Sequence, residues 1–315
     1  MKRFAFVFPG QGSQSVGMLD AVADHPAVRD TLREAADVLG QDLGALMRQG
    51  PAEELNLTTN TQPAMLAAGI ALWRLWLAEG GAQPALMAGH SLGEYTALVA
   101  AGAIEFSDAL PLVRFRAQAM QEAVPVGAGG MAAVLGLDDA AVIDTCAEAS
   151  RAVAEVVEAV NFNAPGQVVI AGTKAAVERA CALLKERGAK RALPLPVSAP
   201  FHSSLLAPAA ARLADYLATL PVAAPRVPVV HNVDVARHAD AAGIRQALAA
   251  QAAGPVRWVE CVQALRDAGC TQIVECGPGK VLAGLTRRID PALTGHALVD
   301  LASAHAVRDG LRALN

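Results

Sequence analysis

The sequence predicts an α/β fold in which a large domain built on a parallel sheet carries a smaller inserted unit. Three observations predict it. An apolar run at 84–88 leads into Gly89-His90-Ser91-Leu92-Gly93 and then, from Glu94 onward, into Ala and Leu at helical spacing. A buried strand that feeds a helix through G-x-S-x-G is a nucleophile elbow, the sharp bend of an α/β-hydrolase-like domain. A second short apolar run, 4–8, reads as another buried strand and is closed by Pro9-Gly10. Between 131 and 197 the pattern changes to strand-helix-strand-strand-helix-strand, the order of a ferredoxin-like subdomain. The glycine-rich break at 124–130 separates the two regimes. The expected organisation is a large catalytic domain from 1–126 and 199–315, with the small subdomain at 127–198.

Bulk properties narrow the function. A chain of 315 residues, 53% hydrophobic and 18% charged, can bury a sizeable core and is not disordered. The net charge of −4 leaves no nucleic-acid footprint, and there is no basic amphipathic stretch for a membrane surface. The richest apolar run, 64–77, is interrupted by Arg74 and is too short to span a bilayer. Five cysteines, scattered and without CxxC spacing, read as reduced thiols of a cytoplasmic protein rather than as disulfides or metal ligands. The first residues lack the long apolar core of a signal peptide.

In chain order, strand 4–8 ends in Pro9-Gly10-Gln11-Gly12-Ser13-Gln14, a tight loop that exposes backbone N–H groups. It serves either as an ordinary strand-to-helix turn or as a second wall of an active site. In the latter case the Gln11 amide is one oxyanion donor. A charged amphipathic helical region follows at 28–50, then a polar stretch at 51–60. An all-round apolar helix spans about 63–79 and ends at Gly80-Gly81. At the elbow the bend lifts the Ser91 hydroxyl clear of the backbone. The N–H of Leu92, at a helix N-terminus, points where an oxyanion would develop. The next helix, 108–122, carries Arg114 and Arg116 among apolar residues. Positions two apart cannot share a helix face, so one arginine is expected to point inward, where it needs an anionic partner.

In the small subdomain, Asn161-Phe162-Asn163-Ala164-Pro165-Gly166 reads as a hairpin loop, with a cleft wall as the alternative. After the return to the large domain comes Pro200-Phe201-His202-Ser203. An elbow serine needs a later histidine to take its proton. His202 is one candidate. His231, beside Asn232-Val233-Asp234 after a Val-Pro-Val-Val strand, is its rival. No carboxylate stands out as a third member, although Asp234 is possible. A helix is expected at 205–220, a strand at 226–233, helices at 243–253 and 259–268, and a buried strand at 271–276. Gly277-Pro278-Gly279-Lys280 then opens a helix over 281–289, a turn that suits a phosphate but lacks P-loop spacing.

Taken together, these stretches resemble the malonyl-CoA:acyl-carrier-protein transacylases of bacterial fatty-acid synthesis. The resemblance is carried by residues 8–14, 89–95, 116–121, 161–172, 200–203, 232–234, 255–258 and 275–282, in the same order over most of the chain. It implies that Ser91 is the nucleophile and His202 the general base and then acid. It also implies that the amides of Gln11 and Leu92 form the oxyanion hole. Arg116 would grip the malonyl carboxylate, and the main-chain carbonyl of Gln251 would orient His202. Phe201 is similar to the malonyl-selecting version of its motif, whereas Ala252-Ala253-Gly254 departs from the usual sequence after the glutamine. The implied substrates and partners are malonyl-CoA and acyl carrier protein, with no cofactor and no metal.

Overall fold

A computed structural model describes residues 3–197 and 199–313. The outer limits of the expected domain bounds, at 1 and 315, and the junction at 198 lie outside the described residues. Strand β1 (Arg3–Phe8) is followed by helices α1 (Pro26–Leu39), α2 (Leu43–Gln49), α3 (Ala52–Leu55) and α4 (Thr58–Ala78). Then come β2 (Leu86–Gly89), α5 (Leu92–Ala100) and α6 (Phe106–Glu122). Next is the run β3 (Gly129–Leu135), α7 (Asp139–Val153), β4 (Val157–Ala164), β5 (Gln167–Thr173), α8 (Lys174–Glu186) and β6 (Arg191–Pro194). The chain closes with α9 (Ala207–Thr219), β7 (Val229–Val230), α10 (Ala241–Ala252), α11 (Trp258–Asp267) and β8 (Cys270–Cys276). Last are α12 (Val281–Ile289), β9 (Thr294–Leu298) and α13 (Leu301–Ala313).

The larger sheet has the order β7-β2-β1-β8-β9, and every neighbouring pair is parallel. Its central strand shows why it is buried on both faces. Phe4, Phe6 and Phe8 enter one apolar cluster with α4, α5 and α6, while Ala5 and Val7 enter another with α11 and α12. Alternation along a strand sends successive side chains to opposite faces, so apolar residues at every position require cover on both sides. The carboxyl ends of β1, β2, β7 and β8 therefore open at one rim, the usual place for a crevice in such a sheet.

The smaller sheet, β4-β5-β3-β6, is antiparallel throughout. One face packs on α7 and α8 through residues such as Ala132, Val134, Val168 and Ile170. The other face presents Met131, Val169 and Ala171, with Phe201 packed against them. Strand β4 is joined to the larger part by main-chain bonds: Phe162 N–H to the Val256 carbonyl at 3.0 Å, and Val256 N–H to the Val160 carbonyl at 2.8 Å.

Several expected boundaries move. Helix α4 begins at Thr58 rather than 63, with Pro63 inside it. The expected hairpin loop at 161–166 is mostly strand, since β4 runs through Ala164. Strand β7 is only two residues long, and β9 and α13 are elements that the sequence reading did not assign. The glycine-rich turn at 277–280 is not open to a phosphate. The buried Glu275 carboxylate already accepts the Ala283 N–H at the start of α12, at 2.8 Å. Among the described residues, no helix is long and apolar enough to cross a membrane.

Candidate active site

The elbow forms where β2 turns into α5. Ser91 stands at φ 53°, ψ −110°, a conformation that costs a non-glycine residue about 1–3 kcal/mol. Surrounding contacts hold it there. The Ser91 N–H donates to Asn232 Oδ1 at 2.8 Å, and the Ser91 carbonyl accepts from Gln251 Nε2 at 2.9 Å. The two motif glycines are steric requirements. A Cβ on Gly89 would lie 1.9 Å from the Gly93 backbone, and one on Gly93 would lie 2.0 Å from the Phe8 carbonyl oxygen. Strand, bend and helix are thus pressed together at the carboxyl end of β1.

Of the two histidines that the sequence leaves as rivals, His202 meets the serine. Its Nε2 lies 2.7 Å from Ser91 Oγ, and its Nδ1 lies 2.9 Å from the main-chain oxygen of Gln251. A carbonyl can only accept, so Nδ1 carries the hydrogen and Nε2 presents a lone pair to the serine hydroxyl. The carbonyl is available because Gln251 sits in the last turn of α10, where helical carbonyls lack intrahelical partners. Burial, and after it the positive charge of Arg116, pushes the His202 pKa down to about 3. At neutral pH the ring is therefore an uncharged base.

His231 is turned elsewhere. Its Nδ1 lies 2.8 Å from Glu94 Oε1, with both side chains fully buried. Burial would lower its pKa, but the charge and hydrogen bond of Glu94 outweigh that and hold it above the usual histidine value. Asp234 pairs with His238 at 2.7 Å, so neither it nor His231 attends the serine.

Arg116 is the inward arginine, 2% exposed, whereas Arg114 is half-buried and bonded to Gln41. The expected anionic partner is not a side chain bonded to it. Arg116 donates to three neutral oxygens: Gln62 Oε1 at 2.7 Å, Gln251 Oε1 at 2.9 Å and Ser91 Oγ at 3.2 Å. Its guanidinium also lies over the Tyr95 ring, 5.3 Å from the centroid. A buried cation held only by neutral groups is poised for an anion, and its planar fork suits a carboxylate.

Ser91, His202, Arg116 and Gln62 border one cavity of about 200 Å³, which Gln11, Leu92, Asn161 and Phe201 also line. Pockets that enclose a drug-sized ligand run to about 300–1,000 Å³, so this one suits a small acyl group rather than a whole large cofactor. Gln11 Oε1 accepts from Thr58 Oγ1 at 2.7 Å, which braces the first loop against α4. The cavity roof is the helix-free face of the smaller sheet, through Met131 and Val169. Two contributors escaped the sequence reading. Gln62 and Glu94 belong to pairs separated by 54 and 137 positions along the chain. Asn163, in the stretch that reads as a hairpin loop or as a cleft wall, takes the second role: it lines the cavity and lies 2.8 Å from His90 Nε2. The one local signal was Glu94 itself, a carboxylate at the start of an otherwise apolar helix.

The fold is that of an acyl transferase domain: the family model of that description matches residues 5–307. The chain is 58% identical over 307 residues to the malonyl CoA-acyl carrier protein transacylase of Salmonella typhimurium, covering 97% of this chain and 99% of that protein. It superposes with a TM-score of 0.96 on the acyl-carrier-protein S-malonyltransferase of Burkholderia pseudomallei, at 67% identity and with 98% and 99% of the two chains covered. A malonyl-transacylase in complex with its type II PKS acyl-carrier protein superposes equally well, TM-score 0.96, at 52% identity over 98% and 99% of the chains. The chain belongs to the malonyl CoA-acyl carrier protein transacylase family.

Proposed function

We propose that this chain moves a malonyl group from malonyl-CoA to the phosphopantetheine thiol of an acyl carrier protein through a malonyl-serine intermediate, supplying fatty-acid elongation in the cytoplasm. One observation carries the proposal: the Ser91–His202 pair and the buried Arg116 guanidinium converge on the same small cavity. Arg116 takes the malonyl carboxylate through two parallel charge-assisted bonds. Ser91 Oγ attacks the thioester carbonyl as His202 Nε2 takes its proton, and the amides of Gln11 and Leu92 receive the oxyanion. The tetrahedral adduct collapses to malonyl-serine and CoA thiolate, which takes that proton from His202 and leaves as the thiol, so that the ring is neutral again. The carrier thiol then gives its proton to His202 and attacks the ester, and Ser91 leaves with that proton. No metal, nucleotide or redox cofactor is needed.

The Gln251 carbonyl orients His202 without supplying negative charge. A neutral acceptor stabilises the imidazolium less than a carboxylate would. This suits an enzyme whose acyl-serine must outlast water. The architecture fits the same account. An α/β-hydrolase-like large domain, 1–126 and 199–315, supplies the elbow and both arginine and histidine. A ferredoxin-like insert, 127–198, supplies the roof.

The test is incubation with malonyl-CoA and no acceptor, followed by peptide mass spectrometry. A persistent malonyl ester on Ser91, discharged by added holo carrier protein, is expected. Rapid release of free malonate with no ester at Ser91 would make the chain a hydrolase instead.

A further inference from the structure

Glu94 is fully buried one turn beyond the bend, directly beneath the site. A carboxylate there must be compensated, and three N–H donors do so. Oε1 faces His231 Nδ1 at 2.8 Å, and Oε2 accepts from the Asn232 backbone and from Gln251 Nε2, both at 2.9 Å. The last contact fixes more than the carboxylate. Gln251 Nε2 is surrounded by acceptors, namely Glu94 Oε2, the Ser91 carbonyl at 2.9 Å and Asn232 Oδ1 at 3.4 Å. Only one orientation of the amide satisfies them, and it turns Oε1 toward Arg116 Nη2, 2.9 Å away. Among these acceptors, Glu94 is the charged one and therefore the strongest. Its negative charge also lies one amide away from a guanidinium whose direct partners are all neutral.

We propose that Glu94 is a positioning residue for acyl selectivity: by fixing which end of the Gln251 amide meets Arg116, it aims the guanidinium at the substrate carboxylate. This rests on the assignment of Arg116 to the malonyl carboxylate. Glu94 touches no substrate, so its effect travels through Gln251 and falls on acyl groups that carry a carboxylate. Acetyl-CoA, which has none, is the internal control.

The experiment measures kcat/KM for acylation of Ser91 by malonyl-CoA and by acetyl-CoA in four proteins: Arg116→Ala, Gln251→Met, Glu94→Leu, and Gln251→Met combined with Glu94→Leu. Arg116→Ala is expected to collapse the malonyl-to-acetyl ratio. If it lowers both substrates alike, the carboxylate assignment itself is wrong. With that assignment standing, Gln251→Met and Glu94→Leu should each lower the ratio by about 10- to 100-fold, the scale of a misaimed positioning contact. The double variant should lower it no further than either single one, because the two act in series. A ratio that stays at the wild-type value in Glu94→Leu, or effects that multiply in the double variant, would overturn the proposal. Should the leucine variant not fold, Glu94→Met, which keeps the length of the side chain and has no oxygen to accept the Gln251 Nε2 hydrogen, replaces it, and an unchanged ratio there overturns the proposal equally.

Discussion

At the scale of single residues, the site is governed by what burial does to charge. His202 and Arg116 are both enclosed: burial makes the charged form of each more costly, and the Arg116 charge adds to that cost for His202. The sign for His202 follows directly. An ordinary histidine gains a proton as pH falls through about 6.5. His202 keeps its lone pair until about pH 3, because the proton would have to enter a desolvated pocket next to a guanidinium. The free enzyme's base is therefore fully available across the neutral and mildly acidic range. In a profile of kcat/KM for malonyl-CoA, the acid limb should be absent between about pH 7 and pH 5. An inflection near 6.5 that disappears in stopped-flow acylation of a His202 variant would show that the ring titrates as a solvated imidazole.

At the scale of elements, the bend between β2 and α5 works because two backbones touch where side chains would normally intervene. A methyl on Gly93 has nowhere to go, since its obstacle is the Phe8 carbonyl of the neighbouring strand rather than a flexible side chain. Gly93→Ala should destabilise the protein by about 3 kcal/mol, the upper range for overpacking, and lower the thermal midpoint by roughly 5 °C in a calorimetric scan. An unchanged midpoint would mean that strand and helix are free to separate. The bend was legible in the sequence because strand, glycines, serine and helix are consecutive. Pro63 misled for an equally local reason. A proline suggests a helix start, yet α4 begins five residues earlier, and this extra length brings Thr58 to Gln11 and Gln62 to Arg116. Strand β9 was missed because its residues are mostly half-buried at a sheet edge and carry weak alternation. Which histidine serves Ser91, and which oxygens hold Arg116, are set by contacts across 25 to 135 positions, where no local pattern exists.

At the scale of the whole molecule, the two sheets divide the work. The parallel sheet delivers functional groups at its carboxyl rim, and the antiparallel sheet covers them with its helix-free face. The remaining requirement is access for a carrier protein whose pantetheine arm must reach the covered serine. Carrier proteins of such systems are acidic, and this chain is itself net negative at −4, so docking calls for a local basic surface. The sequence holds one basic cluster at 185–191 and another at 280–288; the first is partly spent internally, since Arg187 pairs with Glu148 and Thr145. The other lies on α12 and its cap. Lys280 and Arg287 are exposed, and Arg288 donates to Gln167 Oε1 at 2.6 Å beside the β4–β5 turn. The turn before Lys280 packs on Ser13, in the loop that lines the cavity through Gln11. This cluster therefore runs from the first loop to the smaller sheet. Reversing charge at Arg287 and Arg288 together should raise KM for the carrier protein by roughly tenfold and leave KM for malonyl-CoA unchanged. The penalty should shrink as salt is added, because exposed charges are screened over about 10 Å at 0.1 M. Steady-state kinetics with each substrate varied in turn would check this, and equal changes in both Michaelis constants would place the carrier elsewhere on the surface.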